Sequence, residues 1–114
     1  MSRIRVLVVG CGNMGASHAR AYHAMDGFEI VGLVSRGAGS RDALNQELGG
    51  GYATFGDFEA ALAETRPDAV SINTYPGTHH DYARKALEAG CHLFVEKPLA
   101  ETVNQASEIV DLAM

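Results

Sequence analysis

Ile4-Arg5-Val6-Leu7-Val8-Val9-Gly10-Cys11-Gly12-Asn13-Met14-Gly15 decides the fold. The run from Ile4 to Val9 is apolar except for Arg5, with no sustained polar alternation. That is the pattern of a strand covered on both faces. Glycines at 10, 12 and 15 follow at once, and the next dozen residues have helical composition. GxGxxG between a strand and a helix is the arrangement that holds a dinucleotide. The first glycine makes the tight turn, the second lets backbone approach the pyrophosphate, and the third lets helix and strand pack closely. Gly10, Gly12, Asn13, Met14 and Gly15 are therefore candidate cofactor residues. A turn that serves packing alone, or a site for another nucleotide-like ligand such as S-adenosylmethionine, is the alternative. Cys11 lies near the cofactor by position but has no partner for thiol catalysis, and reads simply as a small residue between glycines.

Outward from this turn, the pattern alternates. A helix is expected over Asn13–Met25, with Asn13 as its cap and Met14, Ala21, Tyr22 and Met25 on one face; Asp26-Gly27 breaks it. Glu29–Val34 reads as a strand, and Ser40–Leu48 as a helix closed by Gly49-Gly50-Gly51. Tyr52–Phe55 is a short strand, and Asp57–Glu64 a helix with Asp57 near its start. Asp68–Ile72 is the next strand. Thr78–Ala89 is a helix with a capping-box-like pair, Thr78 and Asp81, and Gly90 ends it. Cys91–Val95 is a fifth strand, and Glu101–Leu112 a last helix. Such alternation specifies an α/β fold: a Rossmann-type doubly wound parallel sheet of about five strands in three α/β/α layers. Residues 1–114 read as one dinucleotide-binding domain. The last helix has no strand after it, so truncation before a sixth strand is expected.

Composition narrows the class. The chain has 114 residues, 46% of them hydrophobic, and a formal net charge of −5. That supports one packed domain and argues against nucleic acid as a partner. No apolar run reaches the ~20 residues of a membrane span, and the first ten residues lack the pattern of a secretory signal. The two cysteines, Cys11 and Cys91, match neither a disulfide framework nor a metal spacing. A cytoplasmic protein without a metal is expected. Glycine is in excess, at 13 residues.

In a doubly wound sheet, ligands bind beyond the carboxyl ends of the strands. An NAD site usually carries Asp or Glu at the end of its second strand, for the ribose hydroxyls. This chain has Val34-Ser35-Arg36 there, with Arg41 soon after. Ser35 is small and neutral, and Arg36 offers a guanidinium fork to a phosphate. NADP is expected to be preferred over NAD, unless Arg36 and Arg41 are simply solvated charges. The fourth strand leads into Asn73-Thr74-Tyr75-Pro76-Gly77-Thr78-His79-His80, in which Asn73, Thr74, Pro76 and His79 are candidate cofactor contacts. The fifth leads into Glu96-Lys97-Pro98. The chain has seven arginines and two lysines, and a lysine can exchange a proton where a guanidinium cannot. Lys97, fixed by the following proline, can hydrogen-bond a substrate hydroxyl beside a nicotinamide; a surface lysine in a turn is the plain alternative. His79 is a second catalytic candidate.

The combination resembles the Gfo/Idh/MocA family of oxidoreductases. It is carried by the glycine turn with His18, by Arg66-Pro67-Asp68-Ala69-Val70 before a Thr-Pro-x-x-His-like loop, and by Ala86-Leu87-Glu88-Ala89-Gly90 before Glu96-Lys97-Pro98-Leu99-Ala100. The resemblance implies hydride transfer between a nicotinamide cofactor and a sugar, inositol or related polyol. It implies that Lys97 assists proton movement at the substrate hydroxyl, that Glu96 and Lys97 lie beside the cofactor, and that His79 is near the nicotinamide. It also implies a C-terminal α/β substrate domain, absent from these 114 residues, and a homo-oligomeric full-length protein. Tyr75 departs from the family, which commonly has proline there. Without a second domain, weak cofactor binding and no turnover are expected of this chain. The competing class is a non-catalytic redox-sensing nucleotide module, which has no use for Lys97.

Overall fold

The computed structural model describes residues 3–11, 13–74 and 76–95, with backbone alone at 13, 14, 76–80 and 95. Nine elements alternate along it: β1 (Ile4–Val9), α1 (Asn13–Ala24), β2 (Phe28–Val34), α2 (Ala38–Glu47), β3 (Thr54–Phe55), α3 (Phe58–Thr65), β4 (Ala69–Ile72), α4 (Pro76–Glu88) and β5 (His92–Val95). The expected helix over Glu101–Leu112 lies outside the described residues. The strands form one parallel sheet in the order β3-β2-β1-β4-β5.

The apolar run of β1 is explained by its central place. Val6 and Val8 face one layer, with Ala16, Ala19 and Tyr22 of α1 and Leu44 of α2. Leu7 and Val9 face the other, with Phe58 and Ala61 of α3 and Ala83 and Ala86 of α4. All four β1 side chains are essentially without solvent contact. Helices thus cover both faces, as the pattern requires.

The chain winds from β1 through β2 to β3 on one side, and α3 then carries it across to β4 and β5. Val9 is level with Val34 on β2 and with Ile72 on β4. The strand order therefore reverses between β1 and β4, and the crevice of a doubly wound sheet lies outside the carboxyl ends at that point.

Local chemistry sets the helix ends. Asp57 caps α3, its Oδ2 accepting from the Ala60 amide at 2.9 Å. α2 and α4 both end in paired reverse bonds around a left-handed glycine. Gly49 donates to Gln46 O and Gly50 to Asn45 O; Gly90 donates to Leu87 O and Cys91 to Ala86 O.

Three expectations are corrected. α4 begins at Pro76, so Thr78 is its third residue and the Thr78–Asp81 pair is not a capping box. Proline at a first helical position loses no needed N–H and has the helical φ already. Asp81 instead pairs with Arg84 and Lys85. Asn13 is the first helical residue rather than the residue before the helix. The buried stripe of α1 is Ala16, Ala19 and Tyr22, while Ala21 and Met25 are exposed. Small residues at i and i+3 let α1 lie close to the sheet, and the bulk of Tyr22 fills the space beyond them.

Candidate functional site

The carboxyl end of β1 is held from both sides. Gly10 N donates to Val34 O at 2.7 Å, and Asn73 N donates to Val9 O at 2.8 Å. Gly10 has φ +92°, and a Cβ there would lie 2.6 Å from Asn73 O. A Cβ on Gly15 would lie 1.7 Å from Gly10 O. Only glycines let α1 start directly over the end of β1 and beside β4. The first turn of α1 holds no acidic residue, so its free N–H groups and positive dipole end suit a pyrophosphate. Gly12 lies outside the described residues, and Asn13 and Met14 are placed by backbone alone.

Cys11, between Gly10 and Gly12, is buried in the layer beneath α1 and α2. Its thiol donates to Val34 O at 3.5 Å. Burial pushes its pKa up to about 11 against a smaller opposing pull from Arg41. It packs the turn from below as a neutral thiol.

At the end of β2, Ser35 N continues the ladder to Phe55 O at 3.1 Å. Arg36 is exposed, and among the described residues no acid pairs with it. Arg41, read above as a possible solvated charge, is half-buried on α2. Its Nη1 donates to Ser35 O at 2.7 Å, and its Nε is buried with no hydrogen-bond partner. Two guanidiniums, one with an unused buried N–H, thus stand where a ribose-binding carboxylate is usual.

The end of β4 carries a polar chain that sequence reasoning did not find. Tyr22 on α1 donates its hydroxyl to Ser71 Oγ at 3.3 Å. Asn73 Nδ2 donates to Ser71 O at 3.2 Å and to Ser71 Oγ at 3.1 Å. The available signal was Ser71 itself, the polar residue of Ala69-Val70-Ser71-Ile72, two places before Asn73 and so on its face. Thr74 follows, and His79 lies on the first turns of α4 by its backbone. Tyr75, Glu96, Lys97 and Pro98 lie outside the described residues, and the side chains of Pro76, His79 and His80 are likewise not described. The structure thus brings Gly10, Gly15, Ser35, Arg36, Asn73 and Thr74 to one edge of the sheet.

A cavity of about 690 Å³ opens elsewhere, between α3 and the carboxyl-terminal half of α4. Pro67 and Cys91 in its lining precede β4 and β5, so it lies at the opposite edge from the glycine turn. Among the described residues no cluster of His, Cys, Asp or Glu could hold a metal, and no helix is long and apolar enough to cross a membrane.

The fold, the glycine turn and the anion-binding helix start define a dinucleotide-binding domain. Residues 4–114 match the model of the Gfo/Idh/MocA oxidoreductase family, NAD-binding Rossmann fold, and the chain belongs to that family. It is 34% identical over 113 residues to D-glucoside 3-dehydrogenase of Escherichia coli, covering 98% of this chain and 32% of that protein. It is also 34% identical to inositol 2-dehydrogenase of Agrobacterium fabrum, covering 95% and 32%. Among solved structures, myo-inositol dehydrogenase from Lactobacillus casei in complex with NAD(H) and myo-inositol superposes with a TM-score of 0.90 at 28% identity, covering 97% of this chain and 33% of that one. The chain spans about a third of the length of the curated relatives it matches.

Proposed function

We propose that this chain is the NADP-preferring cofactor domain of an enzyme that moves a hydride between a nicotinamide and a hydroxyl-bearing carbon of a sugar, inositol or related polyol. The observation that carries the cofactor preference is the end of β2, where Ser35 and Arg36 replace an acid and Arg41 holds a guanidinium against Ser35 O. A 2′-phosphate there meets positive charge, whereas a carboxylate would repel it. The substrate class is supported by the relatives, which are named as glucoside and inositol dehydrogenases. The bound nicotinamide supplies or accepts the hydride.

The chain's own residues do the rest. The glycine turn and the start of α1 bind the pyrophosphate through Gly10, Gly12, Asn13, Met14 and Gly15. Asn73, Thr74 and Pro76 line the crevice beyond β4. Lys97 exchanges the proton of the substrate hydroxyl, Glu96 flanks it, and His79 stands beside the nicotinamide. The full-length protein is a homo-oligomer of the cytoplasm.

Paired titration with NADPH and NADH tests the preference. NADPH is expected to bind at least about tenfold more tightly, the scale of a charge-assisted bond or two. Arg36→Ala should remove most of that difference, and Arg36→Asp should reverse it. Equal affinities in the unaltered chain would refute the phosphate reading while leaving the dehydrogenase reading in place.

A further inference from the structure

α3 and α4 pack on the same face of the sheet, and the residues between them change character along the way. Toward the glycine-turn edge the rings of Phe58 and Tyr82 meet, with centroids 4.5 Å apart. Lys85 then bonds Glu59 across the gap. Beyond that pair stand small side chains, Ala63 on α3 and Ala89 just after α4, and the cavity of about 690 Å³ opens there. Glu59, Leu62, Ala63 and Arg66 recur at the spacing of one helix face, so the cavity follows the length of α3 as a groove. Ala63, Arg66 and Ala89 are exposed, so the space is open to solvent. Its floor is Pro67 and Cys91, and the Cys91 thiol is already satisfied, donating to Pro67 O at 3.3 Å. A space of this size with apolar walls and few polar groups is the usual form of a small-molecule site.

We infer that this groove binds a small monocarboxylate with an apolar body, at a site separate from the cofactor crevice. Charge assigns the anion. Of the two cations in the lining, Lys85 is already matched by Glu59 and Asp81. Arg66 is exposed, and among the described residues no acid pairs with its guanidinium. One free guanidinium balances one negative charge, and its planar fork matches a carboxylate with two parallel hydrogen bonds. The backbone fixes where that fork starts from. Arg66 is left-handed, with φ 46° and ψ 63°, where glycine is usual, and Arg5 donates to its carbonyl at 2.7 Å. Glycine there would relieve the strain but leave the groove without a free charge. The walls exclude the proposed substrate. A sugar or polyol would find few partners for its hydroxyls among Leu62, Ala63, Pro67 and Ala89. The groove lies at the opposite edge of the sheet from the glycine turn, so this inference is independent of the dinucleotide reading.

Titration of the isotopically labelled chain with 4-phenylbutyrate, its neutral amide and 4-phenylbutylamine, read by backbone amide chemical shifts, tests it. With the acid, the amides of Leu62, Ala63, Arg66, Ala89 and Cys91 should shift and saturate with a Kd of about millimolar, the scale of so small a probe. The neutral amide should bind about five- to tenfold more weakly, the loss of a charge-assisted hydrogen bond. The amine should not bind. Arg66→Gly suits the left-handed backbone, so its melting temperature should stay or rise. It should weaken the acid to the level of the amide and leave the amide unchanged. Ala63→Trp fills the groove and should remove both; if it does not fold, Arg66→Gly carries the comparison. Shifts confined to Gly10, Gly15 and the start of α1 would put the acid in the phosphate site and overturn the inference. Equal binding of acid and amine, no saturable shift, or an Arg66→Gly chain that binds the acid undiminished would overturn it too. So would a chain that sediments as a dimer and is split by the acid, because the occupant would then be a second copy.

Discussion

The carbonyl oxygen of Gly10 stands 1.7 Å from where a Cβ on residue 15 would be. No side chain fits there unless helix α1 lifts from β1. Gly15→Ala should therefore cost at least about 2 kcal/mol of stability by forcing backbone apart. It should also abolish nucleotide binding, because the amides that face the pyrophosphate move with the helix. Gly39→Ala is the contrasting control. Gly39 lies in α2 with nothing within 4 Å of its would-be Cβ. Alanine there should stabilise by about 0.5–1 kcal/mol. Urea denaturation of both variants, with a parallel NADPH titration, checks the pair.

Arg5 reaches from β1 to the end of α3. Its guanidinium donates to Thr65 O at 2.6 Å and Arg66 O at 2.7 Å, carbonyls beyond the reach of the helix's own amides. It also brings positive charge to the negative end of the helix dipole. Arg5→Leu should lose about 1 kcal/mol, a modest value because the side chain is partly exposed. Arg5→Lys should keep the charge but lose the two-pronged contact, and fall between the two. Denaturation midpoints at low salt check the order.

Cys11 should resist alkylation in the folded chain at pH 7 and react only on unfolding. Its thiol is buried and held neutral, with a pKa pushed from 9.0 to about 11. The folded chain therefore keeps a proton that the unfolded chain releases near pH 9. The contribution to stability is complete below pH 9 and disappears as the pH rises to about 11. Cys91, also raised by burial, adds to the same loss. Melting curves between pH 8 and 11 should fall less steeply for Cys11→Ala than for the unaltered chain. Rapid thiol labelling of the native chain at pH 7 would contradict this.

The surface network around Lys85 should matter little at neutral pH. Lys85 bonds Glu59 on α3 and Asp81 on its own helix, and Lys85, helped by Arg84, holds the Asp81 carboxyl below its usual range. A depressed carboxyl stabilises above its unfolded pKa, near 4, and that support goes as the pH falls through the lower folded value. Lys85→Met should leave the denaturation midpoint almost unchanged at pH 7, as exposed pairs do. It should cost nothing measurable at pH 2, and acid titration of both chains compares them.

Much of the fold was legible because it rests on local periodicity. The unbroken apolar run from Val6 to Val9 marked a central strand, and glycine and proline marked the turns around every helix. Helix starts were less legible. Pro76 opens α4 two residues before Thr78, because proline is as good a first residue as it is a poor interior one. The glycine turn located one part of the site. Arg41 was harder to place, since a residue six positions past Ser35 returns to its carbonyl only once α2 has formed.

By itself the sequence determined the order of strands and helices, the double-sided burial of β1, and the need for glycine at positions 10 and 15. Each follows from side-chain period or backbone sterics over a few residues. Only the tertiary structure decided that Cys11 faces the core, that Arg41 closes the end of β2, and that Tyr22, Ser71 and Asn73 form one buried chain. Those contacts join residues up to 49 positions apart. They exist because sheet order and helix packing bring distant segments together, and short-range periodicity carries no record of those neighbours.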